Sequence, residues 1–118
     1  MVRVRRVYDA PSPDDGYRVL VDRLWPRGMR REDLALGAWL REIAPSTELR
    51  KAYHAGKFDF PAFRERYLGE LESALMASDV IRDLSERLAA GPLTLLTASR
   101  SDPNHATILA EILTERAE

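Results

Sequence analysis

Cysteine is absent from the 118 residues, which excludes disulfides, thiolate nucleophiles and cysteine-ligated zinc or iron–sulfur centres. Lysine is almost absent: Lys51 and Lys57 stand against sixteen arginines among 18 basic side chains. Positive charge therefore sits on planar, fork-shaped donors suited to carboxylate and phosphate, although a GC-rich coding bias gives the same composition. Net charge is lacking as well, at −1, so bulk electrostatics supply no case for nucleic-acid or membrane binding. No apolar run reaches membrane-spanning length, and Met-Val-Arg-Val-Arg-Arg lacks the apolar core of a signal peptide. A cytoplasmic protein with no membrane partner is expected. The two histidines have no short spacing to paired carboxylates, so no metal site is expected, and no motif indicates a cofactor.

One domain spanning 1–118 is expected, because the chain shows no repeat, linker or low-complexity tract and is long enough to bury one core. Charge is unevenly spread. Residues 1–31 hold eight arginines against four acids, while the remainder holds ten bases against fifteen acids, so the N-terminal part can form a local basic surface.

The pattern along the chain reads as an α/β alternation. Val2, Val4 and Val7 mark a first strand, the turn-rich Ala10–Gly16 a loop, and Tyr17–Val21 a second strand. Leu36, Trp39, Leu40 and Ile43 recur at helical spacing up to Pro45, and Ser46 offers an N-cap for a helix carrying Leu49 and Tyr53 toward Gly56. Phe60, Phe63, Tyr67, Leu71 and Leu75 line one face of a long helix. Ser78 can cap the next, which ends at Gly91-Pro92. Leu93–Ala98 reads as a buried strand, and a last helix starts near Asp102 or Pro103. The expected fold is a small three-layer α/β domain, with a short, mostly parallel three-stranded sheet covered by about five helices.

Two segments carry candidate chemistry. In Asp22-Arg23-Leu24-Trp25-Pro26-Arg27-Gly28, Trp25 before proline is held extended and Gly28 permits a reversal, so Arg23 and Arg27 can flank an anion-binding mouth. Alternatively, Arg23 pairs with Asp22 or Glu48 and Trp25 enters the core. Arg50, one turn after Ser46, can join that mouth or form an intrahelical pair. In Ser99–His105, the residues emerge at a strand's carboxyl end beside the amides of the next helix, which favour an anion unless Asp102 caps them. Ser99, Arg100 and Asn104 are candidate ligand contacts there. His105 is the candidate proton-transfer residue, or else a packed ring bonded to a carbonyl. Ser99 and Ser101 serve as nucleophiles only with a base adjacent.

The stretches DGYRVLVDRLWPRG (15–28), WLREIAPSTELR (39–50), FRERYLGEL (63–71) and TLLTASRSDPNHATIL (94–109) resemble the DUF488 family of uncharacterised proteins, in particular its short YeaO-like branch. The resemblance covers nearly the whole chain. It implies a small three-layer α/β domain and marks Asp22, Arg23, Trp25, Pro26, Arg27, Gly28, Pro45, Ser46, Arg50, Asn104 and His105 as pattern positions. It also implies a departure, because longer members place Cys-His-Arg where this chain has Asn104-His105-Ala106, so a thiol mechanism is closed here.

These readings lead to a ligand-binding domain, or an enzyme, acting on a phosphorylated or otherwise anionic small molecule or nucleotide. Arg23, Arg27, Ser46, Arg50, Ser99, Arg100 and Asn104 would bind it, and His105 would move a proton. The alternative is a non-catalytic or nucleic-acid-associated module using the basic N-terminal surface, although no helix-turn-helix pattern with a basic recognition helix is visible.

Overall fold

Four strands, all parallel, run side by side in the order β1-β4-β2-β3 in the computed structural model, which describes residues 1–117. They are β1 (Val2–Arg6), β2 (Tyr17–Leu20), β3 (Ala38–Trp39) and β4 (Leu93–Thr97). β4 lies between β1 and β2 and is buried along its whole length, as its leucine-rich run suits in a central parallel strand, the buried Thr94 hydroxyl donating to Asp15 O at 2.8 Å. The helices are α1 (Arg31–Leu34), α2 (Thr47–His54), α3 (Phe60–Ser73), α4 (Ala77–Ala90) and α5 (His105–Ala117), with 3₁₀ turns at Pro13–Asp15 and Arg41–Ile43.

The pleat divides the interior. Val2, Val4, Val19, Leu93 and Leu95 face a large core with Leu49 of α2, Phe63, Tyr67 and Leu71 of α3, Leu84 of α4 and Ile108, Leu109 and Leu113 of α5. Val7, Leu20 and Leu96 face a smaller one with Leu34, Trp25 and Trp39. The long helices thus cover one face, and the other is covered by connecting segments and the single turn α1, so the expected second helical layer is replaced by coil.

The expected helix over Leu36–Ile43 is replaced by β3 and a 3₁₀ turn, and the sheet gains a fourth strand. The physical reason lies in where the apolar residues go. Leu36 and Trp39 enter the smaller core while Leu40 and Ile43 enter the larger one, on opposite faces of the sheet, which one helical stripe cannot do. Backbone bonds Gly37 N–H to Arg18 O (2.7 Å) and Leu40 N–H to Leu20 O (2.8 Å) fix β3 on β2. Gly37 is needed because a Cβ there would lie 2.1 Å from the Tyr17 ring. Gly37→Ala should therefore destabilise by about 1–3 kcal/mol, the usual range for overpacking, seen as a lower urea midpoint at unchanged slope. An unchanged midpoint would mean that the ring yields freely.

Two helix starts also differ from expectation. α4 begins at Ala77 without a side-chain cap, Ser78 being already inside it. α5 begins at His105 rather than at Asp102 or Pro103, because Asn104 Oδ1 accepts from the Ala106 and Thr107 amides (2.9 and 3.2 Å) while the Thr107 hydroxyl accepts from the Asn104 amide (3.2 Å). Ser46 caps α2 as expected, accepting from the Leu49 amide at 3.1 Å.

Candidate functional site

Because all four strands are parallel, the segments leaving their carboxyl ends converge on one side of the domain, where open α/β sheets place ligands. A cavity of about 470 Å³ lies there. Tyr8 reaches it from beyond β1, Asp22 to Arg27 from β2, Pro45, Arg50, Tyr53 and His54 from the segment after β3, and Thr97 to Ser101 with Asn104 and His105 from β4. The two sequence segments with candidate chemistry thus form one site.

At its base, β2 continues through Val21, whose N–H donates to Leu96 O at 3.0 Å, and delivers Asp22 between β4 and α5. Asp22 accepts from the Thr97 hydroxyl and the Ala98 amide, both at 2.7 Å, and lies 3.0 Å from His105 Nε2. Burial pushes the Asp22 carboxyl up, but the His105 ring beside it, by hydrogen bond and electrostatically, then the Ala98 amide and the Thr97 hydroxyl, outweigh that and hold it below the usual carboxylate range. His105 Nε2 is also 3.1 Å from Val21 O. Two acceptors at one nitrogen require Nε2 to carry a hydrogen, and Nδ1 has no hydrogen-bond partner among the described residues. The ring packs edge-on against Tyr67, whose hydroxyl donates to Ile43 O and is pushed up by burial and by the negative charges of Glu70 and Asp22, with Arg23 offsetting part of this.

Arg23 does not pair with Asp22 or Glu48. Its Nε donates to Pro45 O and its Nη2 to Ala44 O, each at 3.1 Å. Those bonds occupy the side edge of the guanidinium, leaving the Nη1/Nη2 end of the fork for another partner. The receiving turn is itself fixed, since Tyr67 binds Ile43 O and Glu70 accepts from the Ser46 amide and hydroxyl (2.8 and 2.5 Å). Among the described residues Arg23, Arg27, Arg50 and Arg100 form no ion pair, and all four line the cavity, where Asp22 is the one carboxylate.

Other candidates are placed differently. Ser46 lies outside the cavity lining, its hydroxyl committed to the α2 cap and Glu70. Asn104 borders the cavity, but Oδ1 caps α5 and Nδ2 donates to Ser101 O at 2.9 Å, so the Ala106 and Thr107 amides are already satisfied. Asp102 makes no such cap. Ser99 Oγ accepts from the Ser101 amide at 3.2 Å, and among the described residues no hydroxyl hydrogen-bonds to His105, so no nucleophile–base pair is formed there. Trp25 is half-buried at the cavity edge, edge-on to Trp39 with centroids 5.3 Å apart, and donates to Met29 O at 2.7 Å. Arg27 is exposed, and Arg27→Ala should change stability by less than about 0.5 kcal/mol, checked by chemical denaturation. Sequence reasoning passed over the role of Asp22. Its signal was an acid directly following an apolar strand, but its histidine partner stands 83 residues away.

Comparison with known proteins bears on this arrangement. The family described as the inactive DUF488-N3 subclade, DUF488-N3i, matches residues 1–118. The chain belongs to that family. It is 48% identical over 113 residues to the uncharacterised protein YeaO of Escherichia coli K12, covering 95% of this chain and 96% of that one. It is 45% identical over 117 residues to uncharacterised proteins of Mycobacterium bovis and Mycobacterium tuberculosis, Mb3100c and Rv3073c, covering 98% of this chain and 95% of each. No solved structure matches. Membership in the DUF488 YeaO-like family is thereby established. Among the described residues no helix is long and apolar enough to cross a membrane, and no cluster of three metal-ligating side chains occurs.

Proposed function

We propose that this protein binds an anionic small molecule, a phosphorylated or carboxylated metabolite or a nucleotide, in the cavity at the carboxyl end of its sheet, without turning it over. The observation that carries this is Arg23, half-buried, clamped by two backbone carbonyls and without a carboxylate partner among the described residues. A half-buried guanidinium bonded only to neutral acceptors keeps its charge uncompensated within the protein, and an anion is the partner it lacks. Arg50, Arg27 and Arg100 add charge around the same space, and Trp25, Pro45 and Phe63 supply apolar wall for the rest of the ligand.

Binding without turnover is favoured over catalysis by two observations. His105 has no hydroxyl to activate, and the matched family is described as inactive. The nucleic-acid reading has less support, because half of the arginines in the basic N-terminal segment are held in ion pairs. Arg3, Arg5 and Arg18 surround the buried Asp15, and Arg30 pairs with Glu32 and Asp33.

A thermal-shift screen of small metabolites tests this, since a ligand at a hundred times its Kd adds about 2.7 kcal/mol to the folded state. Phosphorylated or carboxylated compounds should raise the melting temperature while their neutral analogues do not. A steep salt dependence with oligonucleotides and no response to small anions would move the function to the alternative.

A further inference from the structure

We infer that the ligand carries a hydroxyl or N–H donor close to its anionic group, and that His105 Nδ1 is the acceptor that reads it; this rests on the anion reading of the cavity above. Asp22 Oδ1 and Val21 O both face Nε2, at 3.0 and 3.1 Å, and together fix the hydrogen there. In a neutral imidazole so held, Nδ1 is a lone pair and can only accept. Nδ1 has no protein partner among the described residues, nor is it a buried orphan, so it is open to the cavity His105 lines. The cavity therefore offers strong cationic donors at Arg23 and Arg50 and one fixed acceptor at His105, while Asp22 already accepts two hydrogen bonds and faces the His105 ring. An anion lacking a donor satisfies the arginines and leaves Nδ1 facing an apolar or like-charged group. A hydroxylated phosphate ester or a hydroxy acid satisfies both. His105 acts here as a specificity residue, positioned by Asp22.

The test is at pH 8, above the ordinary imidazole range, with two matched probe pairs: methyl phosphate against glycerol 3-phosphate, and acetate against glycolate. The wild type should bind the hydroxylated member of at least one pair about tenfold more tightly, the scale of one well-made hydrogen bond, and the responding pair distinguishes a phosphate from a carboxylate ligand. His105→Gln keeps an amide donor toward Asp22 and Val21 but loses the Nδ1 acceptor. It should retain methyl phosphate affinity within about twofold and lose the preference. Imidazole ¹⁵N NMR of the wild type gives a reading that needs no variant: Nε2 protonated, Nδ1 unprotonated, and the Nδ1 signal moving when the hydroxylated probe is added. Survival of the preference in His105→Gln, equal binding within both pairs, or a protonated Nδ1 at pH 8 overturns the inference while leaving the anion site standing. If no probe binds, or Arg23→Ala binds all of them as well as the wild type, the anion reading itself fails and this inference with it.

Discussion

Replacing Arg23 with alanine should weaken anion binding by at least about a hundredfold, equivalent to about 2.7 kcal/mol, the upper part of the range for a charged hydrogen-bonding group. Arg23 is the one cavity arginine whose orientation is fixed before a ligand arrives, by Pro45 O and Ala44 O, so its fork pays no ordering cost on binding. Arg23→Lys should not rescue. A lysine has the charge but cannot span two carbonyls and still present a planar pair of donors. Removing exposed Arg27 or Arg100 should cost much less, because each must be ordered from solvent. Titration calorimetry with a phosphorylated probe reads all four, and equal losses from Arg23, Arg27 and Arg100 would mean a diffuse electrostatic surface rather than a built site.

The largest stability loss is expected at the other end of β2. Asp15 is fully buried, accepts from the Ser12 amide at 2.9 Å, and binds the buried Arg18, with Arg3 and Arg5 at 3.5 and 3.8 Å. Asp15→Ala leaves the Arg18 guanidinium buried without its counterion and should cost about 3–5 kcal/mol by chemical denaturation. A loss under about 1 kcal/mol would show that water reaches Arg18 easily. Burial pushes the Asp15 carboxyl up, but the Ser12 amide, the Arg18 hydrogen bond and the charges of Arg18 and Arg5 prevail, so it titrates below the usual carboxylate range. The folded value is depressed relative to the unfolded one. The stability from this group is therefore fully present above pH of about 4 and is lost as pH falls through the folded value, and Asp22 contributes with the same sign. Asp15→Asn should flatten that acid limb of the stability profile.

How much of this was legible in the chain depends on how local each cause is. α3 was legible because Phe63, Tyr67 and Leu71 bury one stripe against one core, although Leu75, expected on the same face, lies beyond the helix end at Ser73 and is exposed; β4 was legible because its leucine-rich run suits a central parallel strand. The Ser46 cap was legible because capping is settled within four residues. The segment 36–43 misled because its helical spacing arises from alternate delivery to two cores, a consequence of tertiary placement that periodicity cannot encode. The start of α5 was displaced because Pro103 and Asp102 are good helix starters in isolation, whereas Asn104 and Thr107 satisfy the amides reciprocally. In the site, Arg23, Arg27, Arg100 and His105 were legible as residue types on segments leaving strand ends, and Arg50 as one turn past the Ser46 cap. The Asp22–His105 contact and the carbonyl clamp on Arg23 were not, since each joins positions more than 20 residues apart.

The account stands most directly on whether anions enter this cavity at all. A ¹H–¹⁵N NMR titration of the wild type with inorganic phosphate should give saturable shifts at residues 22–27, 50 and 97–105, including the Arg23 Nε resonance, and Arg23→Ala should abolish them. Because Asn104 already caps α5, the Ala106 and Thr107 amides should move less than Arg23. Shifts that never saturate, or that spread over Arg3, Arg5 and Arg30 as strongly as over the cavity, would contradict an anion-binding site at the carboxyl end of the sheet.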